Sequence, residues 1–111
     1  MTTRKFKIDG KKIKQLVEPI GGCMATDKIT VDGELVDFMY RDAPDFEHDS
    51  GWRFLSGTES QEYADNADNW AIYDVNTIAN YDSSIIGYLD LPIGTELEKI
   101  KGTNEFRTVE S

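Results

Sequence analysis

The sequence predicts an α+β fold, a twisted antiparallel sheet of about five strands with two or three short helices. Three observations carry this reading. Short apolar runs of strand character fill residues 23–75, helical patterns follow between 77 and 91, and one more strand-like run closes the chain. Within residues 35–41, Val36, Phe38 and Tyr40 alternate with Asp37, Met39 and Arg41, a period of two that points the first set inward. The 39% hydrophobic content, with 2 Trp, 5 Tyr and 5 Phe in 111 residues, is too apolar and aromatic for a disordered chain. A chain of this length buries roughly 65% of its unfolded surface, enough to fold without metal or disulfide. It divides into a basic N-terminal arm at 1–20, partly flexible, and a single α+β domain at 21–111.

After the arm, residues 13–17 suit one helical turn or a short edge strand, and Pro19 with Gly21 and Gly22 ends either. Residues 23–25 and 29–31 read as short strands. Asp32-Gly33 supplies a turn whose glycine accepts positive φ, so residues 35–41 become the returning strand of a hairpin. Residues 43–51 carry turn formers and acids without apolar periodicity, which predicts an exposed loop. A third strand at 52–55 places Trp52 and Phe54 on one face. Thr58, followed three positions later by Gln61, is a capping-box pattern leading into a short helix at 62–64. A loop at 65–69 precedes a fourth strand at 70–75, whose Ile72 joins Trp52 and Phe54 in the predicted framework. Residues 77–80 suggest a helical turn, and Asp82 caps a second through Ile85, Ile86 and Leu89 until Pro92 and Gly94 stop it. Residues 95–100 make the final strand, with order ending at 101–103.

The formal net charge is -9, unevenly spread. Residues 1–14 hold Arg4, Lys5, Lys7, Lys11, Lys12 and Lys14 against Asp9, while between Asp32 and Glu98 the only bases are Arg41 and Arg53. A body of one sign repels nucleic acid, keeps a small protein soluble, and steers an oppositely charged partner inward, which suits an inhibitor of a basic nuclease. The arm is expected to be mobile rather than folded back on the body or engaged with a partner. A lone cysteine, Cys23, forms no intramolecular bridge, and the basic start lacks the apolar run of a secretory signal. No apolar stretch approaches a membrane span. These features predict a cytoplasmic protein away from the membrane.

Catalytic chemistry is scarce. The only thiol is Cys23 and the only imidazole His48; the first reads as a small buried residue, the second as a surface group between Glu47 and Asp49. One Cys and one His make no zinc site, and residues 65–69 place Ala67 at a ligand position of any calcium loop. Gly21-Gly22 lacks the Lys-Ser of a phosphate loop, and no carboxylate pair stands out for glycoside chemistry. No metal, cofactor or catalytic set is expected. Trp52 and Arg53 read either as a structural pair or as binding anchors, and residues 65–69 as a side-chain-bonded turn or an acidic lip.

The runs Gly22-Cys23-Met24-Ala25-Thr26-Asp27-Lys28-Ile29, Met39-Tyr40-Arg41, Asp49-Ser50-Gly51-Trp52-Arg53-Phe54-Leu55-Ser56-Gly57, Tyr63-Ala64-Asp65-Asn66 and Ile72-Tyr73-Asp74-Val75-Asn76-Thr77-Ile78-Ala79-Asn80 occur in that order. With its Gly-Trp-Arg core, the segment from 21 to about 100 resembles the bacterial polymorphic-toxin immunity-protein family formerly catalogued only as a domain of unknown function. The resemblance implies a non-enzymatic cytoplasmic antidote that binds and neutralises a secreted toxin. Joined to the charge, it makes the expected partner a toxin protein with a basic surface. The expected contact lip is Asp42, Glu47, Asp49, Asp65 and Asp68, with Trp52 and Arg53 holding or extending it. Two other readings stand beside it: a small ligand-binding domain or hydrolase with a pocket near Trp52 and Tyr73, and an adaptor or scaffold module.

Overall fold

A computed structural model describes residues 5–109; residues 1–4 of the predicted arm and 110–111 of the predicted domain lie outside them. Six strands, β1 (Gly22–Thr26), β2 (Phe38–Arg41), β3 (Asp49–Leu55), β4 (Trp70–Asp74), β5 (Glu96–Lys99) and β6 (Phe106–Thr108), form one sheet in the order β4-β1-β3-β2-β5-β6. Three short helices, α1 (Asp27–Thr30), α2 (Gln61–Asp65) and α3 (Val75–Tyr81), join them. The α+β class is as the sequence predicts. The sheet is mixed, however, with six strands instead of about five, because β1 runs parallel to β3 while every other neighbour is antiparallel.

The parallel pair follows from what happens after β1. Residues 27–30 turn into α1, where the sequence pattern suggested a second strand piece, so the predicted hairpin around Asp32-Gly33 does not form. Gly33, at φ 79°, ends α1 with its amide bonded to the Ile29 carbonyl at 3.1 Å. A positive-φ glycine serves a hairpin and a helix stop equally well. The chain then enters the sheet two positions away as β2, and β3 returns between β2 and β1, antiparallel to one and so parallel to the other.

Strand parity sorts the side chains. Phe54 pairs with Ala25 and Met39, and Met39 with Leu97, and this row faces the core with Cys23, Trp52 and Phe106. Val75, Ile78 and Ala79 of α3, with Ile29, Ile85 and Leu89, cover it. Trp52 and Phe54 stack at 6.3 Å between centroids, as a shared face requires. In β2, though, Met39 is the inward residue, while Phe38 and Tyr40 are half-buried on the opposite face. Val36 is fully buried but precedes the strand, so its burial does not set β2's phase. Ile72 is no part of the framework: it pairs with Met24 on the outer face and is 58% exposed.

Local corrections have local causes. β3 begins at Asp49 rather than Trp52, and Asp49, Ser50 and Gly51 are buried. Gly51 sits at φ 90°, and a Cβ there would overlap the Asp42 carbonyl. The cap of α2 is Ser60, whose Oγ accepts from the Tyr63 amide at 3.1 Å. Thr58 is occupied elsewhere, donating to Glu34 at 2.9 Å and meeting Ser56 at 2.7 Å. Asp82 does cap the 3-10 segment Ser83–Tyr88, accepting from the Ser84 amide at 3.0 Å. The chain stays ordered past 103 and adds β6, with Phe106 buried against Tyr88.

The described part of the arm contains one 3-10 turn, Gly10–Lys12, and no strand, and it is bonded to α1 through the Lys7 amide and to α3 through residues 14–17. Asn76 Oδ1 accepts from the amides of Leu16 (2.7 Å) and Val17 (3.1 Å), and Asn80 Oδ1 from that of Lys14 (3.0 Å). Both asparagines donate to the Lys14 carbonyl. These bonds use the arm's backbone, leaving Lys11, Lys12 and Lys14 exposed.

The two-faced sheet makes opposite demands of two apolar residues. Trp52→Ala should cost about 3–5 kcal/mol, the range for emptying an aromatic site in a packed core, whereas Ile72→Ser should stay within about 0.5 kcal/mol. Urea denaturation of both variants measures this, and comparable losses would contradict the assignment of faces.

Candidate functional site

Among the described residues, the face of the sheet opposite the core is covered only in part, by the 42–48 loop over its middle and by the end of α2 beside β4. Across it run Trp70 and Ile72 from β4, Met24 from β1, Arg53 from β3, Phe38 and Tyr40 from β2, and Glu96 and Glu98 from β5. Arg53 lies in the middle, flanked in register by Met24 and Tyr40. It is nonetheless only 4% exposed, because the 42–48 loop folds over it.

A buried guanidinium needs a matching anion and filled donors. Asp49 gives both oxygens, at 3.0 Å to Nη1 and 2.8 Å to Nη2, and the Trp52 carbonyl adds a bond at 3.0 Å. Asp45 reaches Nη2 at 3.3 Å from the loop, and the Phe46 ring lies 5.9 Å from the guanidinium carbon. Asp49 also accepts from the amides of Asp45 and Gly51, each at 2.8 Å. Burial alone would raise the Asp49 carboxyl, but Arg53 and these two amides outweigh it and hold the pKa at about 2. The Asp49 bond in turn raises Arg53 against its own desolvation.

Above this pair opens a cleft of about 290 Å³ walled by Met24, Tyr40, Trp70, Asp42, Asp45 and Asp65, with Arg53 at its base. The Trp70 indole is fixed by donation to the Ala64 carbonyl at the end of α2, at 2.8 Å. On the other side of Tyr40 lies a second cleft, about 340 Å³, lined by Phe38, Arg41, Asp42, Thr95 and Glu96. Tyr40 thus separates two acidic, aromatic hollows. Burial raises its phenol, which Arg53 opposes and Asp42 and Asp45 reinforce. Arg41 turns to the core side, bonded to the Leu91 carbonyl at 2.8 Å and lying over the Trp52 ring.

The structure divides the predicted lip. Asp42 and Asp65 share the first cleft, Asp68 is exposed on the neighbouring 3-10 turn, and Glu47 stands apart, 3.5 Å from His48 at the loop tip. Asp49, Arg53 and Trp52 are buried, which takes Asp49 out of the exposed lip and gives Trp52 and Arg53 the structural of their two readings. Trp52 is sealed in the core with its indole donating to the Leu89 carbonyl at 3.2 Å. No open pocket can form on Trp52, and the Tyr73 hydroxyl is engaged with Thr30 at 3.0 Å under the edge of Phe6. The residues missed from sequence are Met24, Phe38, Tyr40, Asp45, Trp70 and Glu96. A correct parity for β2 would have exposed Phe38 and Tyr40.

Cys23 is fully enclosed and its thiol is pushed far up by burial, whereas the His48 ring is exposed beside Glu47. Such a thiol is not a nucleophile at neutral pH. Among the described residues no group of three or more His, Cys, Asp or Glu is placed to hold a metal ion, and no helix is long and apolar enough to cross a membrane.

The immunity protein Imm33 domain family matches the chain over residues 23–110, nearly all of the folded body. No curated protein and no solved structure matches it at a significant level.

The Asp49–Arg53 pair should make the fold acid-sensitive. Because the Asp49 pKa is lowered in the fold, its stabilisation is complete above the ordinary carboxylate value near 4 and disappears as pH falls through about 2. The amount is about 2 kcal/mol. Glu59 and Asp82, also lowered, act in the same sense. Urea unfolding between pH 7 and 2.5 should show wild type losing stability below pH 4. Asp49→Asn, weaker by about 3–5 kcal/mol at pH 7 for want of a charge partner, should lose less over that window. Parallel declines in the two proteins would remove Asp49 as the cause.

Proposed function

We propose that this chain, which belongs to the immunity protein Imm33 family, is a non-enzymatic cytoplasmic antidote that binds a cognate toxin protein through the sheet face opposite its core and the acids around it. One observation carries the reading. Around the loop-covered Arg53, this face leaves Met24, Phe38, Tyr40 and Trp70 half-buried and Ile72, on the edge strand, mostly exposed, with Asp42, Asp45, Asp65 and Glu96 beside them. A contiguous aromatic and apolar patch with a polar rim is the anatomy of a protein interface, and a small monomer seldom leaves one open without use.

Charge sets the kind of toxin. The net charge of -9 draws a basic partner and repels nucleic acid, raising the association rate more than the final affinity. Within this reading Asp42, Asp65 and Asp68 meet the partner and Glu47 extends the field at the loop tip, while Asp49, Arg53 and Trp52 hold the surface from beneath. Blocking needs only occupancy of the toxin's working surface, so the antidote requires no reaction of its own.

The test pairs this protein with the product of its neighbouring gene, taken as the candidate toxin. Replacing Asp42, Asp65 and Asp68 together by Lys should weaken toxin binding at least about tenfold and abolish protection of cells, with a thermal midpoint within about 2 °C of wild type, since all three side chains are exposed. Full protection by the triple variant would remove the acidic rim from the interface. Failure of the wild-type protein to bind or protect against that toxin would remove the antidote reading itself.

A further inference from the structure

Resting on the reading of this face as a toxin-binding surface, we propose that the two hollows beside Tyr40 are sockets for arginine side chains of the partner, with the Tyr40 ring as their common wall. The first socket offers the rings of Tyr40 and Trp70 and the carboxylates of Asp42, Asp45 and Asp65. The second offers Phe38 and Tyr40, which meet at 5.8 Å, with Asp42 and Glu96; Arg41 also lines it, with its guanidinium bonded to the Ser50 and Leu91 carbonyls on the core side. At about 290 and 340 Å³ they lie at the small end of ligand pockets, the scale of single long side chains.

The chemistry selects a guanidinium over an ammonium group. A planar cation lies flat on an aromatic ring while its edge donates to a carboxylate, and it loses less hydration on entry. Arg53 already shows this arrangement within the protein, lying over Phe46 while holding Asp49 with two bonds, and Arg41 lies 5.6 Å from the Trp52 ring with its edge on the Ser50 and Leu91 carbonyls. Arg53 does not cancel the first socket's charge. Asp49 matches it from below, leaving Asp42, Asp45 and Asp65 in excess at the mouth. An arginine entering there replaces water around these carboxylates with a shaped, half-buried site.

The two tryptophans provide the assay, since one lines a socket and the other is sealed in the core. The probe is a hexa-arginine peptide titrated into the full-length, ¹⁵N-labelled protein at 0.15 M salt, with hexalysine for comparison. Hexa-arginine should bind saturably, moving the Trp70 indole resonance and the amides of Tyr40, Asp42, Asp65 and Thr95 while leaving the Trp52 indole in place. Hexalysine should bind about fivefold more weakly or worse, Tyr40→Ala should weaken hexa-arginine about tenfold, and Tyr40→Phe should retain the binding. An unmoved Trp52 resonance in each variant reports an intact core. Shifts spread evenly over remote acids such as Asp90, equal binding of the two peptides, or wild-type affinity in Tyr40→Ala would overturn the sockets. Because the peptide stands in for no particular toxin, that failure is separate from a failure of the protein to bind its toxin.

Discussion

The bond between Arg53 and Asp49 is the constraint on which the outer face depends. A guanidinium at the centre of a sheet would ordinarily point to solvent, yet this one is closed over and matched oxygen for nitrogen by a carboxylate four residues earlier. The match requires the chain to bend at Gly51, whose positive φ and close approach to the Asp42 carbonyl admit no side chain. The same carboxylate takes the Asp45 amide, and so the 42–48 loop is tied down by the pair it covers. A buried ion pair gives little net stability against an apolar replacement, but breaking it is costly. Its consequence here is positional: it fixes the floor of the first cleft and the height of the loop that walls it.

The core side of the sheet solves a different problem. Trp52, Phe54, Met39 and Leu97 are sealed by α3 and the 3-10 segment after Asp82, and among the described residues every buried side-chain nitrogen and oxygen has a hydrogen-bond partner. The Trp52 indole and the Arg41 guanidinium both end on carbonyls at the close of that 3-10 segment, and Lys99 meets Asp82 at 2.7 Å beneath it. Stability is therefore concentrated on one face. The opposite face contributes aromatic surface that folding leaves only partly buried, at positions where the core side tolerates no such exposure.

Much of this was legible in the sequence, and the losses have physical causes. The α+β class, β4, α3, the Asp82 cap and the shared face of Trp52 and Phe54 follow from periodicity and capping, which are local. Gly33 misled because a single glycine supplies the same dihedral to a hairpin and to a helix stop, and only the helical bonds of residues 27–31 decide between them. Val36 misled because a buried residue just before a strand imitates the strand's phase. That one error hid the site: with Phe38 and Tyr40 assigned inward, the outer face lost two of its aromatic residues. Asp49 was read as an exposed acid because its partner Arg53 lies on the same strand, a pairing that straight strand geometry does not suggest and the bend at Gly51 creates. The motif resemblance located the right segment without saying which of its residues face outward.

Acidic residues in this protein fall into two physical classes. Asp49, Asp82 and Glu59 are enclosed or half-enclosed, hydrogen-bonded, and lowered in pKa; their charge is spent on the fold. Asp42, Asp65, Asp68 and Glu96 stand at the surface around the aromatic patch. The first class cannot change without leaving a buried donor or cation unmatched, whereas the second can change at little cost in stability. Under the proposed function, this separation lets partner choice vary independently of folding, since an altered rim charge against a given toxin becomes a repulsion as readily as an attraction. On that reading the aromatic floor would supply adhesion to any toxin with a flat or arginine-bearing surface, and the rim would decide which of them is admitted.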